Sequence, residues 1–140
     1  MVAESELAYT AGLFDGEGCI TILREKSGGK PPYMRLSIGS TDRAVIEWLC
    51  CTFEGSLSKA SLSGAMLGAK QLYNFRLCGQ RAAAFLTPLL PYLRIKKAQA
   101  NLAIEFQSRK REGSYSRRRI PDEERATQIE YAVAMGKLND

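Results

Sequence analysis

The sequence predicts an α+β domain in which helices pack on one face of an antiparallel sheet. Three observations carry this. Apolar and polar residues alternate in the segments near Cys19 to Glu25 and Tyr33 to Ser40, the pattern of strands with one buried face. Apolar residues recur at helical spacing between and after these segments. The order of the pieces is helix, two strands, helix, two strands, then helices, and such segregated hairpins and helices suit an α+β layer arrangement.

The first helix is expected over Glu4 to Phe14, with Leu7, Ala8, Ala11 and Phe14 near one face. Asp15 to Gly18, DGEG, is expected to stop it, because two glycines sustain a helix only at a cost. In the strand that follows, Ile20 and Ile22 share a face, and Cys19, Thr21 and Leu23 share the other. The breaker-rich stretch Lys26 to Pro32 links it to the second strand, where Met34, Leu36 and Ile38 alternate with Tyr33, Arg35 and Ser37.

Thr41 or Asp42 can cap a helix carrying Val45, Ile46, Trp48, Leu49 and Phe53, with Gly55 expected to end it. Two further strands are predicted near Ser56 to Ser61 and Gln71 to Leu77, joined by the loop SGAMLGAK. Helices follow over about Arg81 to Leu89 and Lys97 to Ser108. The run Arg109 to Arg119 reads as a basic linker, and Pro121 with Asp122, Glu123 and Glu124 opens a last helix. The expected organisation is therefore a domain over 1–108, with 109–140 a basic linker and a C-terminal helix packing on the same domain.

Composition narrows the chemistry. The 140 residues are 45% hydrophobic, enough for a real core, and no apolar run approaches the roughly 20 residues a membrane span needs. The start MVAESELAY lacks a basic and apolar signal segment, so an intracellular location is expected, bacterial cytoplasm or organelle alike. The chain has no histidine, and its cysteines, Cys19, Cys50, Cys51 and Cys78, form no CxxC pair. Histidine-based zinc sites and imidazole-dependent hydrolase triads are thereby excluded, and the cysteines are expected as small buried apolar residues. Carboxylates, lysines and arginines remain as the chemical equipment. A formal net charge of +5 favours polyanions.

The segment TAGLFDGEG, Thr10 to Gly18, followed by CITIL, closely resembles the LAGLIDADG motif, with Glu17 in place of the second aspartate. LSIGSTDRAVIEWL and LPYLRIKKAQANL (Leu90 to Leu102) resemble further segments of single-motif members of that homing endonuclease family, and the resemblance spans roughly Ala8 to Phe106. It implies the family's αββαββα fold with a saddle-shaped antiparallel sheet. It also implies a homodimer that makes a metal-dependent staggered break, with 3′ overhangs, in a long, partly palindromic double-stranded DNA site. An intron-borne or independent gene fits a chain of this length. An intron maturase or DNA-binding regulator on the same fold is the alternative, and an interaction protein unrelated to nucleic acid is a more distant one.

Residue by residue, the resemblance implies that Glu17 binds the metal, helped by the carbonyl of Gly16. Oxygen donors of this kind suit Mg2+, with Mn2+ or Ca2+ as substitutes and no organic cofactor. Lys96 matches a basic residue beside the active site, and Asp42 falls where the family places a polar group in its water network. Ala11 and Gly12 carry almost no side chain, so two copies of the helix can approach closely, with Asp15 at the same interface fixing the turn.

A twisted antiparallel ribbon can enter the major groove. The face expected to read DNA carries Thr21, Leu23, Glu25, Tyr33, Arg35 and Ser37, with Ser56, Ser58, Asn74 and Arg76 of matching parity. Arg35 and Arg76 are candidates for guanine and Asn74 for adenine. Lys26, Lys30, Lys59, Lys70 and Arg117 to Arg119 suit phosphate, which positions without specifying.

Overall fold

In the computed structural model, residues 2–24, 31–59, 70–113 and 120–140 are described. Along the chain run α1 (Glu4–Glu17), β1 (Gly18–Leu23), β2 (Tyr33–Ser40), α2 (Arg43–Phe53), β3 (Ser56–Lys59), β4 (Tyr73–Cys78), α3 (Gly79–Leu89), α4 (Lys97–Gly113) and α5 (Asp122–Asn139). A single turn of 3-10 helix, Leu90–Tyr92, lies between α3 and α4. The order αββαββα followed by further helices is the one the sequence predicts. The expected turn over Lys26 to Lys30, the end of the third strand at Ala60 and Ser61, and the loop up to Ala69 lie outside the described residues.

The strands form one antiparallel sheet in the order β1-β2-β4-β3. Its register puts Ile20 opposite Leu36 and Ile22 opposite Met34, while Leu36 faces Leu77 and Ile38 faces Phe75. All seven of these side chains are buried. Because successive strand residues point to opposite faces, this one register sends every alternate residue to the other side. The helices close over the apolar face. Phe85 of α3 meets Phe14 of α1, Phe53 of α2 and Phe75 of β4 with ring centroids 6.0, 4.9 and 5.5 Å apart. Burying a side chain of this size contributes about 1.5–3 kcal/mol.

Four local expectations are corrected. The DGEG segment does not stop α1 at Phe14; the helix continues to Glu17, and Gly18 opens β1 with its N–H donating to the Phe14 carbonyl. Gly55 does not end α2. Glu54 does so in the left-handed conformation (φ 55°), while Gly55 is required because the Phe75 ring leaves no room for a Cβ. The basic run does not begin a linker at Arg109, since α4 is unbroken to Gly113. Arg109 donates to both carboxylate oxygens of Glu124 on α5, at 2.9 and 2.7 Å, and holds that carboxyl below the usual carboxylate range. Finally, the cysteines are not core residues: Cys19, Cys51 and Cys78 are exposed, Cys50 is half-buried, and all four are free thiols.

The N-terminus of α2 follows expectation, with the Asp42 carboxylate accepting from the Val45 N–H at 3.3 Å. At the far end of the chain, α5 packs on α4 and on β1. There Asn139 Nδ2 donates to the Ile20 carbonyl at 2.8 Å. Since β1 is an edge strand, this contact occupies a backbone acceptor that would otherwise offer itself to another strand.

Gly18 is where helix and strand meet most tightly. A Cβ there would collide with the Phe14 ring and sit 2.6 Å from the Phe14 carbonyl oxygen. Gly18→Ala is expected to cost about 1–3 kcal/mol, the usual range for overpacking. Urea unfolding measures this, and an unchanged midpoint would mean that the helix–strand junction tolerates a methyl group.

Candidate functional site

The last turn of α1 gathers the residues on which the motif depends. Asp15 is 8% exposed, and its carboxylate accepts three backbone N–H groups from a segment some 80 positions later. Oδ2 accepts from Arg94 at 2.9 Å, and Oδ1 from Ile95 at 3.1 Å and Lys96 at 3.0 Å. Lys96 returns the contact, its Nζ donating to the Asp15 carbonyl at 3.0 Å. The segment 94–96 leads directly into α4, whose first intrahelical bond runs from the Ala100 N–H to the Lys96 carbonyl. Asp15 thus supplies an anion to three consecutive N–H groups of the segment that leads into α4, the last of them at Lys96, the residue before the helix.

This arrangement explains why α1 outruns its predicted end. The final carbonyls of a helix also lack intrahelical partners, and the Lys96 ammonium meets the one at Asp15 while opposing the negative end of the helix dipole. Gly16 and Glu17 follow, both exposed, and Glu17 has no hydrogen-bond or ion-pair partner among the described residues. Its carboxylate oxygens are hard donors open to solvent. No group of three or more Cys, Asp or Glu residues able to hold a metal occurs among the described residues.

Asp42 lies elsewhere in this scheme. Its carboxylate caps α2, its N–H donates to Ser40 Oγ at 3.0 Å, and among the described residues no hydrogen bond joins it to Asp15, Glu17 or Lys96. Two of the three residues expected at a helix–helix interface also face inward. Ala11 is fully buried in the chain's own core and Asp15 is engaged with the 94–96 segment, because both sit on the side of α1 that packs inward. Gly12 faces outward, as does Gly16, with nothing within 4 Å of an added Cβ at either.

The strand residues expected to read DNA share one face. Cys19, Thr21 and Leu23 stand opposite Ser37, Arg35 and Tyr33; Ser37 and Gly39 stand opposite Arg76 and Asn74, which in turn face Ser56 and Ser58. Tyr33 and Arg76 are exposed, and Thr21, Leu23, Arg35, Ser37, Ser58 and Asn74 are half-buried. Gly39 makes room for its neighbour, since a Cβ there would lie 2.9 Å from Asn74 Oδ1. Cys19 and Cys78 join this face although the sequence reading assigned them to the core. Their parity with Ser37 and Arg35 was the available signal. Lys59 and Lys70 are exposed, Lys59 at the end of β3; Glu25, Lys26, Lys30 and Arg117 to Arg119 lie outside the described residues.

No protein-family model and no curated protein matches the chain in sequence. Among solved structures the likeness is extensive. The homing endonuclease I-CvuI, in complex with the I-CreI target, superposes with a TM-score of 0.76 at 22% identity, covering 98% of this chain and 83% of that one. The archaeal intron-encoded homing endonuclease I-Vdi141I, complexed with DNA, gives 0.76 at 16% identity over 98% of this chain and 86% of its own. For the homing endonuclease I-TnaI the values are 0.66 and 17%, covering 99% and 95%. LAGLIDADG is named outright for a fourth match, I-GzeII with its DNA target, at TM-score 0.67 and 17% identity. The chain has the LAGLIDADG homing endonuclease fold. Within that fold, the segment Thr10 to Gly18 forms the helix–strand junction, and coverage extends through α5, beyond the region where the sequence alone carries the resemblance. No helix among the described residues is long and apolar enough to cross a membrane.

Removing the acceptor that staples α1 to α4 tests the local architecture. Asp15→Asn keeps one carbonyl oxygen but turns an amide donor toward N–H groups, and is expected to cost about 2–3 kcal/mol, the scale of a lost charge-assisted hydrogen bond at a buried site. Urea unfolding measures the loss, and a free energy lowered by less than about 0.5 kcal/mol, the usual scale of a neutral surface change, would mean that the 94–96 backbone is held by other contacts.

Proposed function

We propose that the chain is a metal-dependent DNA endonuclease that acts as a homodimer on a long, partly palindromic duplex site and makes a staggered double-strand break. The observation that carries this reading is the end of α1. There Glu17, exposed and with no partner among the described residues, stands two positions after Asp15, whose carbonyl the Lys96 ammonium occupies, and the polar sheet face begins two residues later. Support comes also from I-CvuI, which has been seen on its own target in the presence of Ca and, with the DNA not cleaved, on the I-CreI target in the presence of Mg.

The donor set fits a hard divalent cation. Mg2+ takes one or two carboxylates together with waters and substrate phosphate rather than a full protein cage. Here one chain offers the Glu17 carboxylate and the Gly16 carbonyl, the latter in a helix turn whose carbonyls lack intrahelical partners. When bound, such an ion supplies charge neutralisation at the phosphate and an acidified water. The chain's own residues do the rest. Lys96 holds a fixed positive charge against the charge that develops on the reacting phosphate. Thr21, Leu23, Tyr33, Arg35, Ser37, Ser58, Asn74 and Arg76 meet base edges in the major groove, and exposed lysines such as Lys59 and Lys70 meet phosphates.

A second copy completes the site in this reading. Exposed glycine in a helix interior costs about 0.5–1 kcal/mol relative to alanine. Gly12 and Gly16 bear that cost with open space around them, and the close approach of another α1 gives it a use. A two-fold axis there brings one Glu17 from each chain together and makes the target partly palindromic.

Incubation with a randomised DNA library and magnesium, followed by sequencing of the ends, is expected to return recurrent cuts with short 3′ overhangs at one long site. Bound but uncut DNA would favour the maturase or regulator reading. Glu17→Gln is expected to slow cleavage by ~100-fold or more while leaving DNA affinity nearly unchanged, and equal loss of both would remove Glu17 from catalysis. Gly12→Leu is expected to yield folded monomers in sedimentation equilibrium; a dimeric variant would place the interface elsewhere.

A further inference from the structure

The basic run after residue 108 looks, by charge, like a phosphate-binding tail, yet its first two cations are engaged within the chain. Arg109 is joined to Glu124 of α5. Lys110 is half-buried, and its ammonium lies 5.5 Å from the centre of the Phe106 ring, whose side chain is fully buried. The same nitrogen donates at 2.5 Å to the carbonyl of Pro32, a buried residue immediately before β2. Burial lowers the Lys110 pKa from the ordinary lysine value. Holding a lysine here therefore carries a desolvation cost, offset by a charge-assisted hydrogen bond and a cation–π contact.

What this contact restrains is specific. Pro32 precedes Tyr33, and Tyr33 pairs with Leu23 at the last rung of the β1–β2 ladder. Tyr33, 40% exposed, and Arg35 lie on the polar face of the sheet. The ladder thus has its end tied to α4 from behind, 78 positions along the chain. We propose that Lys110 is a positioning residue for the nucleic-acid face: it sets the angle at which the Leu23–Tyr33 end of the sheet meets the duplex, and it makes no phosphate contact itself. This deepens the endonuclease reading and rests on it for the identity of the ligand.

Two readouts on the full chain decide the matter. The first is amide hydrogen exchange without DNA. In Lys110→Met, exchange at residues Tyr33 to Leu36 is expected to rise about tenfold, the scale of one lost charge-assisted hydrogen bond in a local opening. Ile38 and Phe75 should stay protected, and Lys110→Arg, which keeps donor and charge, should restore most of the protection. If Lys110→Met does not fold, Lys110→Gln replaces it, with a neutral donor on a shorter arm. The second readout is the salt dependence of affinity for a random-sequence duplex of about 30 base pairs, or three helical turns. A lysine that contacts phosphate lowers the slope by about one when removed, and the slope is expected to stay unchanged. A slope reduced by about one, or exchange that rises equally everywhere or nowhere, overturns the proposal. Should the unmodified protein bind no duplex at all, the endonuclease reading fails, and exchange alone still decides whether Lys110 anchors the ladder.

Discussion

The buried carboxylate of Asp15 is the constraint on which the rest of the site depends. Taking a carboxylate out of water costs several kcal/mol unless hydrogen bonds replace the lost solvation, and three backbone N–H groups do so here. The same bonds occupy three consecutive backbone donors on the approach to α4. One residue therefore joins the end of α1 to the beginning of α4. It sets where Lys96 turns back, how far α1 runs, and where β1 begins. Glu17 gains its exposed position only because Asp15, two residues earlier, is held inward.

Beyond that junction, strand parity divides core from surface. The apolar side chains of β1, β2 and β4 fill the space under α1, α2 and α3, and each intervening residue goes to the opposite face as a consequence of the register. Close packing sets the remaining positions. At Gly18, Gly39 and Gly55 a neighbouring group occupies the space of a Cβ, whereas Gly12 and Gly16 stand open. The first three serve the packing of the chain itself.

Charge is distributed less freely than the net value of +5 suggests. Arg43 pairs with Glu47 along α2, Arg109 pairs with Glu124 across helices, Lys96 meets a helix end, and Lys110 is held between Phe106 and Pro32. The surface pair contributes little to stability, and the partly buried contacts fix geometry more than they add affinity for anions. Counting lysines and arginines along the chain thus overstates the cations available to a polyanion. On the sheet face Arg76 remains exposed.

The sequence by itself determined the order of elements, the buried alternation of β2, a cap at Thr41 or Asp42 and the motif at the end of α1. These are local properties: side-chain period, capping and turn chemistry act over a few residues, and a reader of the chain has all the partners in view. Tertiary structure alone decided where α1 ends, because the partners of Asp15 lie some 80 residues away. It likewise decided that α4 runs past Ser108, where Glu124 and Pro32 hold Arg109 and Lys110. The exposure of Cys19 and Cys78 lay between these cases, legible from parity but hidden by the usual preference of cysteine for the interior. Each misreading concerns a residue whose environment is supplied by chain distant in sequence, and such an environment exists only once the layers have packed.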